Sequence, residues 1–140
     1  VYSVDVGTDQ MDKTLRSNPK ITLYEQTHFN QLTPSMFNDE INFVVADLSF
    51  ISLTKLIDKL VTLFAHHYKL ILLIKPQFEL SKEEIDHNKG KVKEAKLHEK
   101  AKNKIKNYAQ LKGFKNIKIS QSPITGNKGK NVEFLLYMEQ

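Results

Sequence analysis

No cysteine occurs among the 140 residues, so disulfides and thiolate-bound zinc are excluded. The five histidines show no ligand spacing, so no metal site is expected. No serine sits in a Gly-x-Ser-x-Gly setting, which argues against a serine hydrolase. Glycine and proline are sparse, at five and four residues, and no low-complexity linker or repeat interrupts the chain. No apolar run approaches the roughly 20 residues needed to cross a bilayer. The opening "VYSVDVG" lacks the basic start and cleavage pattern of a signal peptide. It reads as a strand already under way, so the chain is expected to begin inside a domain. A reducing, cytoplasmic location fits these absences.

What is present is an ordinary globular composition, 40% apolar and 26% charged, enough for one domain. The net charge is +5, and its excess is concentrated. Residues Lys82 to Lys118 hold twelve of the 21 lysines and arginines. Such a block suits an acidic partner, with RNA the first candidate, or else a solvated helix face.

Apolar periodicity predicts alternating elements. Short strands are expected at Val1–Asp5 and Lys20–Glu25, with a short helix at Met11–Arg16 between them. "LTPSMF" reads as a loop or a single helical turn. "INFVVADL", Ile41–Leu48, is almost wholly apolar, as a strand covered on both faces should be. Ser52 is a plausible N-cap for a helix whose apolar positions are Leu53, Leu56, Ile57, Leu60, Leu63 and Phe64. Lys69–Lys75 is the next strand. Ser81 and Glu84 have capping-box spacing ahead of a short turn and a loop. A long helix over Val92–Lys112 carries the stripe Leu97, Ala101, Ile105 and Tyr108 and closes at Gly113. Strands at Phe114–Ser120 and Val132–Met138 flank the turn "SPITGNKGKN". Alternation predicts an α/β fold, a mostly parallel sheet with helices on both faces and an antiparallel last strand.

Ligands of open α/β sheets bind beyond the carboxyl ends of the strands. Asp5, Glu25, Asp47 and Lys75 end successive strands, and Glu133 begins the antiparallel one, so five ionisable groups converge on one rim. Plainer readings exist for each. Asp5, Glu25 and Asp47 could cap the helices that follow them, Lys75 could extend its ammonium past the strand end, and Glu133 could face solvent. A lysine buried beside two carboxylates suits either a structural ion network or proton chemistry on a hydroxyl. Asp5 ends a strand as the ribose-binding acid of a nucleotide site does, yet no glycine-rich fingerprint accompanies it. "GNKGK", 126–130, lacks the ending of a phosphate loop and reads as a basic turn.

The segments "VYSVDVGTDQ", "VVADLSFISL", "LLIKPQFE", "SPITG" and "NVEFLL", in this order, resemble the TlyA family of FtsJ-type ribosomal RNA methyltransferases, some labelled haemolysins. The resemblance covers nearly the whole chain. It implies an S-adenosylmethionine-dependent ribose 2′-O-methyltransferase of Rossmann-like fold, acting on ribosomal RNA or a ribosomal subunit. It implies a catalytic Lys-Asp-Lys-Glu set, of which Asp47, Lys75 and Glu133 match the last three. It also implies that Asp5, Glu25 and Asp47 lie at the cofactor. The first lysine, the glycine-rich loop, the first strand and an S4-type RNA-binding domain are expected upstream of residues 1–140. That first strand would sit mid-sheet, so the edge left open implies an upstream segment or pairing in a homodimer. Three stretches depart from the family pattern, one of them the loop at 86–93, which is less glycine-rich than the family's. His28, Phe29 and Asn30 stand where Asn, an apolar residue and Arg are usual, and the final turn is one residue longer. The alternatives are a non-catalytic RNA-binding module of the same fold and a membrane-active haemolysin, for which the long basic helix is the one candidate.

Overall fold

The computed structural model describes residues 1–86, 91–124 and 131–140. The middle of the expected loop after Ser81 and all of "GNKGK" therefore lie outside the described residues. The strands are β1 (Tyr2–Val4), β2 (Thr22–Tyr24), β3 (Phe43–Ala46), β4 (Lys69–Ile74), β5 (Lys115–Gln121) and β6 (Phe134–Glu139). The α-helices are α1 (Lys13–Arg16), α2 (Leu53–Leu63), α3 (Pro76–Glu79), α4 (Lys82–Asp86) and α5 (Ala95–Leu111). Two 3-10 turns, Phe29–Gln31 and Pro34–Met36, fill the stretch before β3.

The strands form two sheets. β1 and β2 pair in parallel, and the larger sheet has the order β3-β4-β6-β5. β3 and β4 are parallel, while β6 runs antiparallel to both its neighbours. Among the described residues no ladder joins β1 to β3, so each presents an edge with unpaired backbone groups.

The core forms because apolar positions of period 2 on the strands meet those of period 3.6 on the helices. Leu70, Leu72 and Ile74 of β4 and Phe134, Leu136 and Met138 of β6 pack against α2 and α5. From α2 come Leu53, Leu56, Ile57, Leu60 and Leu63; from α5 come Ile105 and Ala109. The expected stripe of α5 shifts slightly, since Ala101, Ile105 and Ala109 are the buried positions. Tyr108 lies at its edge and donates its hydroxyl hydrogen to Asp58 on α2.

The large sheet differs from expectation in one respect. β3 is covered on one face only, with Phe43 and Val45 exposed by 51% and 66%. The reason is that α2 and α5 both pack on the Leu70–Leu72–Ile74 face. α1, four residues long, buries no side chain. The opposite face, bearing Phe43, Val45, Ile71, Leu73 and Leu135, has no helix over it among the described residues.

α5 ends where Gly113 takes a left-handed φ of +90°. The Phe114 amide then donates to the Ala109 carbonyl at 3.0 Å and the Gly113 amide to that of Gln110 at 3.0 Å. This pair of bonds satisfies the last carbonyls of the helix and buries Phe114. A Cβ on Gly113 would meet nothing within 4 Å, so only the backbone conformation resists substitution. Gly113→Ala should lower unfolding stability by about 1 kcal/mol. Urea denaturation checks this, and an unchanged midpoint refutes it.

Candidate functional site

Strand register builds the site. Ala46 pairs with Leu72 across the parallel β3–β4 ladder, and Val45 with Ile71. Alternation then puts Val45 and Asp47 on the same face as Ile71, Leu73 and Lys75. On the antiparallel side, Leu73 pairs with Leu135 and Ile74 with Phe134. Continuing that register one step sets Glu133 opposite Lys75. Asp47, Lys75 and Glu133 thus belong to the helix-free face, at the end where β3 and β4 finish and β6 begins.

The side chains meet accordingly. Lys75 Nζ lies 2.6 Å from Asp47 Oδ1. It also donates to Ser49 Oγ at 3.0 Å. The lysine side chain is only 11% exposed, whereas that of Asp47 is 68% exposed. The ammonium is therefore held inside while its carboxylate partner opens to solvent. Among the described residues these two contacts use two of the ammonium's three donors.

Glu133 is buried. Loss of solvent pushes its carboxyl pKa above the ordinary value of 4.5; the Lys75 charge pulls it down and the Asp47 charge pushes it up. The charges of both neighbours therefore reach Glu133. Asp47 is not the cap of α2. Ser52 is, its hydroxyl accepting from the Thr54 amide.

Asp5 and Glu25 lie in the small sheet, just beyond the parallel ends of β1 and β2. The Asp5 amide donates to the Tyr24 carbonyl and the Thr27 amide to the Asp5 carbonyl, each at 2.9 Å. Asp5 Oδ1 accepts from the Gly7 amide at 2.7 Å, and its side chain is otherwise exposed. Glu25 instead engages both oxygens within the chain, one with the Asp9 amide and the other with Arg16. The departing stretch after Glu25 is structural too. His28 caps the 3-10 turn, and Phe29 is buried.

Three residues at the rim escaped the sequence reading. Ser49 touches Lys75 directly. Phe50 is 90% exposed and holds a left-handed φ of +65°. Its ring lies 5.1 Å from that of Phe78, at 49°. An exposed, strained aromatic beside an ion pair is costly to keep unless it has work at the surface. Glu79 is fully buried and hydrogen-bonded to the start of α2. Their one sequence signal is position, inside "DLSFIS" and "KPQFE", next to the two charges that strand-end reasoning finds.

The charged cluster thus sits at the strand ends of an α/β sheet whose last strand is antiparallel. The model of the FtsJ-like methyltransferase family matches residues 1–140, and the chain belongs to that family. It is 36% identical over 138 residues to "Putative rRNA methyltransferase YqxC" of Bacillus subtilis, covering 98% of this chain and 48% of that protein. It is 33% identical to "16S/23S rRNA (cytidine-2'-O)-methyltransferase TlyA" of Mycobacterium tuberculosis, covering 99% of this chain and 51% of that one. A solved structure described as "Putative hemolysin from Streptococcus thermophilus" superposes with a TM-score of 0.92 at 35% identity, over 100% of this chain and 50% of that one. The chain thus spans about half the length of these relatives. No described helix is long and apolar enough to cross a membrane, and no described acid–histidine group forms a metal site.

The raised pKa of Glu133 has a consequence for stability. Above pH 4.5 the folded protein holds this proton more firmly than the unfolded chain does. Stability from this group is therefore complete below the ordinary glutamate value and is lost as pH rises past the folded one. Glu133→Gln should melt with wild type near pH 4 and above it at pH 7. Thermal melts across that range test the sign; a variant less stable at neutral pH refutes it.

Proposed function

We propose that this chain is the catalytic portion of an S-adenosylmethionine-dependent methyltransferase acting on ribose 2′-hydroxyls of ribosomal RNA in the cytoplasm. The observation that carries the reading is the Asp47–Lys75 pair, with Ser49 on the same ammonium and Glu133 electrostatically coupled to it. A ribose hydroxyl is a poor nucleophile and needs a fixed lone pair aimed at its target. The remaining donor of Lys75 suits that task by hydrogen-bonding to the 2′-oxygen. The open side of the Asp47 carboxylate suits the hydroxyl proton. Glu133, set opposite Lys75 by the strand register, adds a second acidic group within electrostatic reach of the ammonium.

Asp5 fits the cofactor's ribose, because its carboxylate is exposed beyond a strand end and, among the described residues, only Oδ1 is hydrogen-bonded. Glu25 fits less well, since both its oxygens already have partners. When bound, S-adenosylmethionine supplies the electrophilic methyl group. The proposal extends to a further strand and loop from elsewhere in the protein, and to a separate RNA-binding domain. The lack of a ladder between β1 and β3 among the described residues and the greater length of the relatives support that extension. A homodimer pairing those edges is the rival arrangement. Phe50, exposed beside Phe78, suits stacking by an unpaired base, the usual way single-stranded RNA is gripped.

Lys75→Met should abolish methyl transfer, by at least about 10²-fold, while the protein still folds. Single-turnover transfer of a labelled methyl group to ribosomal subunits measures it. Retained activity removes the lysine from the mechanism. Calorimetric titration with S-adenosylmethionine separates the rival readings, because a protein that binds RNA but never the cofactor is a binding module. Phe50→Ala should raise the KM for RNA and leave cofactor affinity unchanged. Base–aromatic stacking sets the scale, about 1–3 kcal/mol. Equal RNA affinity in both proteins argues against the stacking role.

A further inference from the structure

Glu79 is a buried carboxylate that the mechanism above leaves idle. Its side chain is 1% exposed. Charges are rarely sealed in this way unless they are fully hydrogen-bonded, and an apolar residue would serve packing alone. Glu79 is indeed saturated. Oε2 accepts from Ser52 Oγ at 2.5 Å, and Oε1 accepts from the Leu53 amide at 2.8 Å. Lys104 of α5 approaches Oε2 at 3.2 Å and donates to the Glu79 carbonyl at 2.7 Å.

These partners lie in separate segments. Ser52 and Leu53 end the loop that begins at Asp47 and carries Ser49 and Phe50. Glu79 ends α3, the single turn that begins directly after Lys75. Three contacts of the candidate site cross between these two segments: Lys75 to Asp47, Lys75 to Ser49, and Phe50 to Phe78. β3 and β4 fix the near ends of the two segments by their ladder. Among the described residues, Glu79 is the side chain that ties their far ends by hydrogen bonds. The left-handed φ of Phe50 falls within the tied loop, where strain persists only if both ends are held.

We propose that Glu79 is a positioning residue that sets Lys75 against Asp47 and Ser49 by clamping the 47–52 loop to α3. The proposal rests on the methyltransferase reading for its kinetic consequence, though not for its geometric one. Glu79→Gln keeps the shape and removes the charge that receives three donors. In the complete protein it should lower kcat on the order of 10²-fold, as an ångström-scale misplacement does, with the KM for cofactor unchanged. The Lys75 amine should also react faster with acetic anhydride, read by peptide mass spectrometry against Lys69 in the same sample. Should Glu79→Gln fail to fold, Ser52→Ala removes one of the clamp's bonds and should give smaller changes of the same kind.

A merely structural carboxylate would lower the melting temperature and leave both readouts unchanged per folded molecule, and that result overturns the proposal. If the wild-type protein proves inactive on RNA, the functional reading fails. Lys75 labelling then decides the clamp without it: faster acylation in the variant sustains the proposal, and equal acylation ends it.

Discussion

The parallel pairing of β3 with β4 is the constraint on which the rest of the molecule depends. Its register, Val45 to Ile71 and Ala46 to Leu72, sorts the residues of both strands onto two faces. Even-numbered positions of β4 enter the core under α2 and α5. Odd-numbered ones reach the open face and end at Lys75. A slip of one residue would send Lys75 toward the helices, where its charge has no partner, and bring Leu73 into their path. The charged end is therefore a device that fixes register as well as a candidate site. A slipped alignment would bury an unpaired ammonium at a cost of several kcal/mol.

The same parity explains how a lysine comes to be enclosed beside an exposed carboxylate. Asp47 lies one residue past β3, on an outer strand of the large sheet, and so stays open. Lys75 lies past β4, which has β3 on one side and β6 on the other, and so is walled in. Glu133, at the start of β6, is buried and resists ionisation because water is missing around it. Three ionisable groups within one charge cluster thus face three different degrees of hydration.

Much of this was legible in the sequence, for identifiable reasons. Strand ends can be read because apolar runs stop abruptly, as at Lys75, or because a charge interrupts them, as Asp47 does inside "VVADLSFISL". Ser52 can be read as a cap because its hydroxyl precedes a strong amphipathic stretch, and the structure agrees. The open face could not be read. "INFVVADL" is apolar at positions of both parities, and such a run looks the same whether one face is covered or two. Nor could the fate of Glu25, whose partner Arg16 belongs to a short helix nine residues earlier. Sequence periodicity carries no record of which acid meets which base across a loop. Glu79 illustrates the limit most sharply. On paper it is a polar residue after a short turn, and only the packing of α2, α3 and α5 makes it buried.

The cluster and the clamp together explain how the segments 47–52 and 75–79 hold their local geometry. Pro76 fixes the first position of α3 immediately after Lys75, where a missing amide hydrogen costs nothing. Phe50 keeps a left-handed backbone and a solvent-facing ring, an arrangement a free loop would relax within its own turn. Neither feature stabilises the fold by itself. The Phe50 conformation becomes tolerable because the β3–β4 ladder holds one end of its segment and Glu79 holds the other. Rigid ends around a strained, exposed middle are what a surface needs if it is to present an aromatic ring and an ammonium at a fixed separation. A flexible loop would meet the entropy of ordering afresh at each binding event. The stability committed to a buried carboxylate is then better understood as preorganisation of the rim than as a contribution to the core.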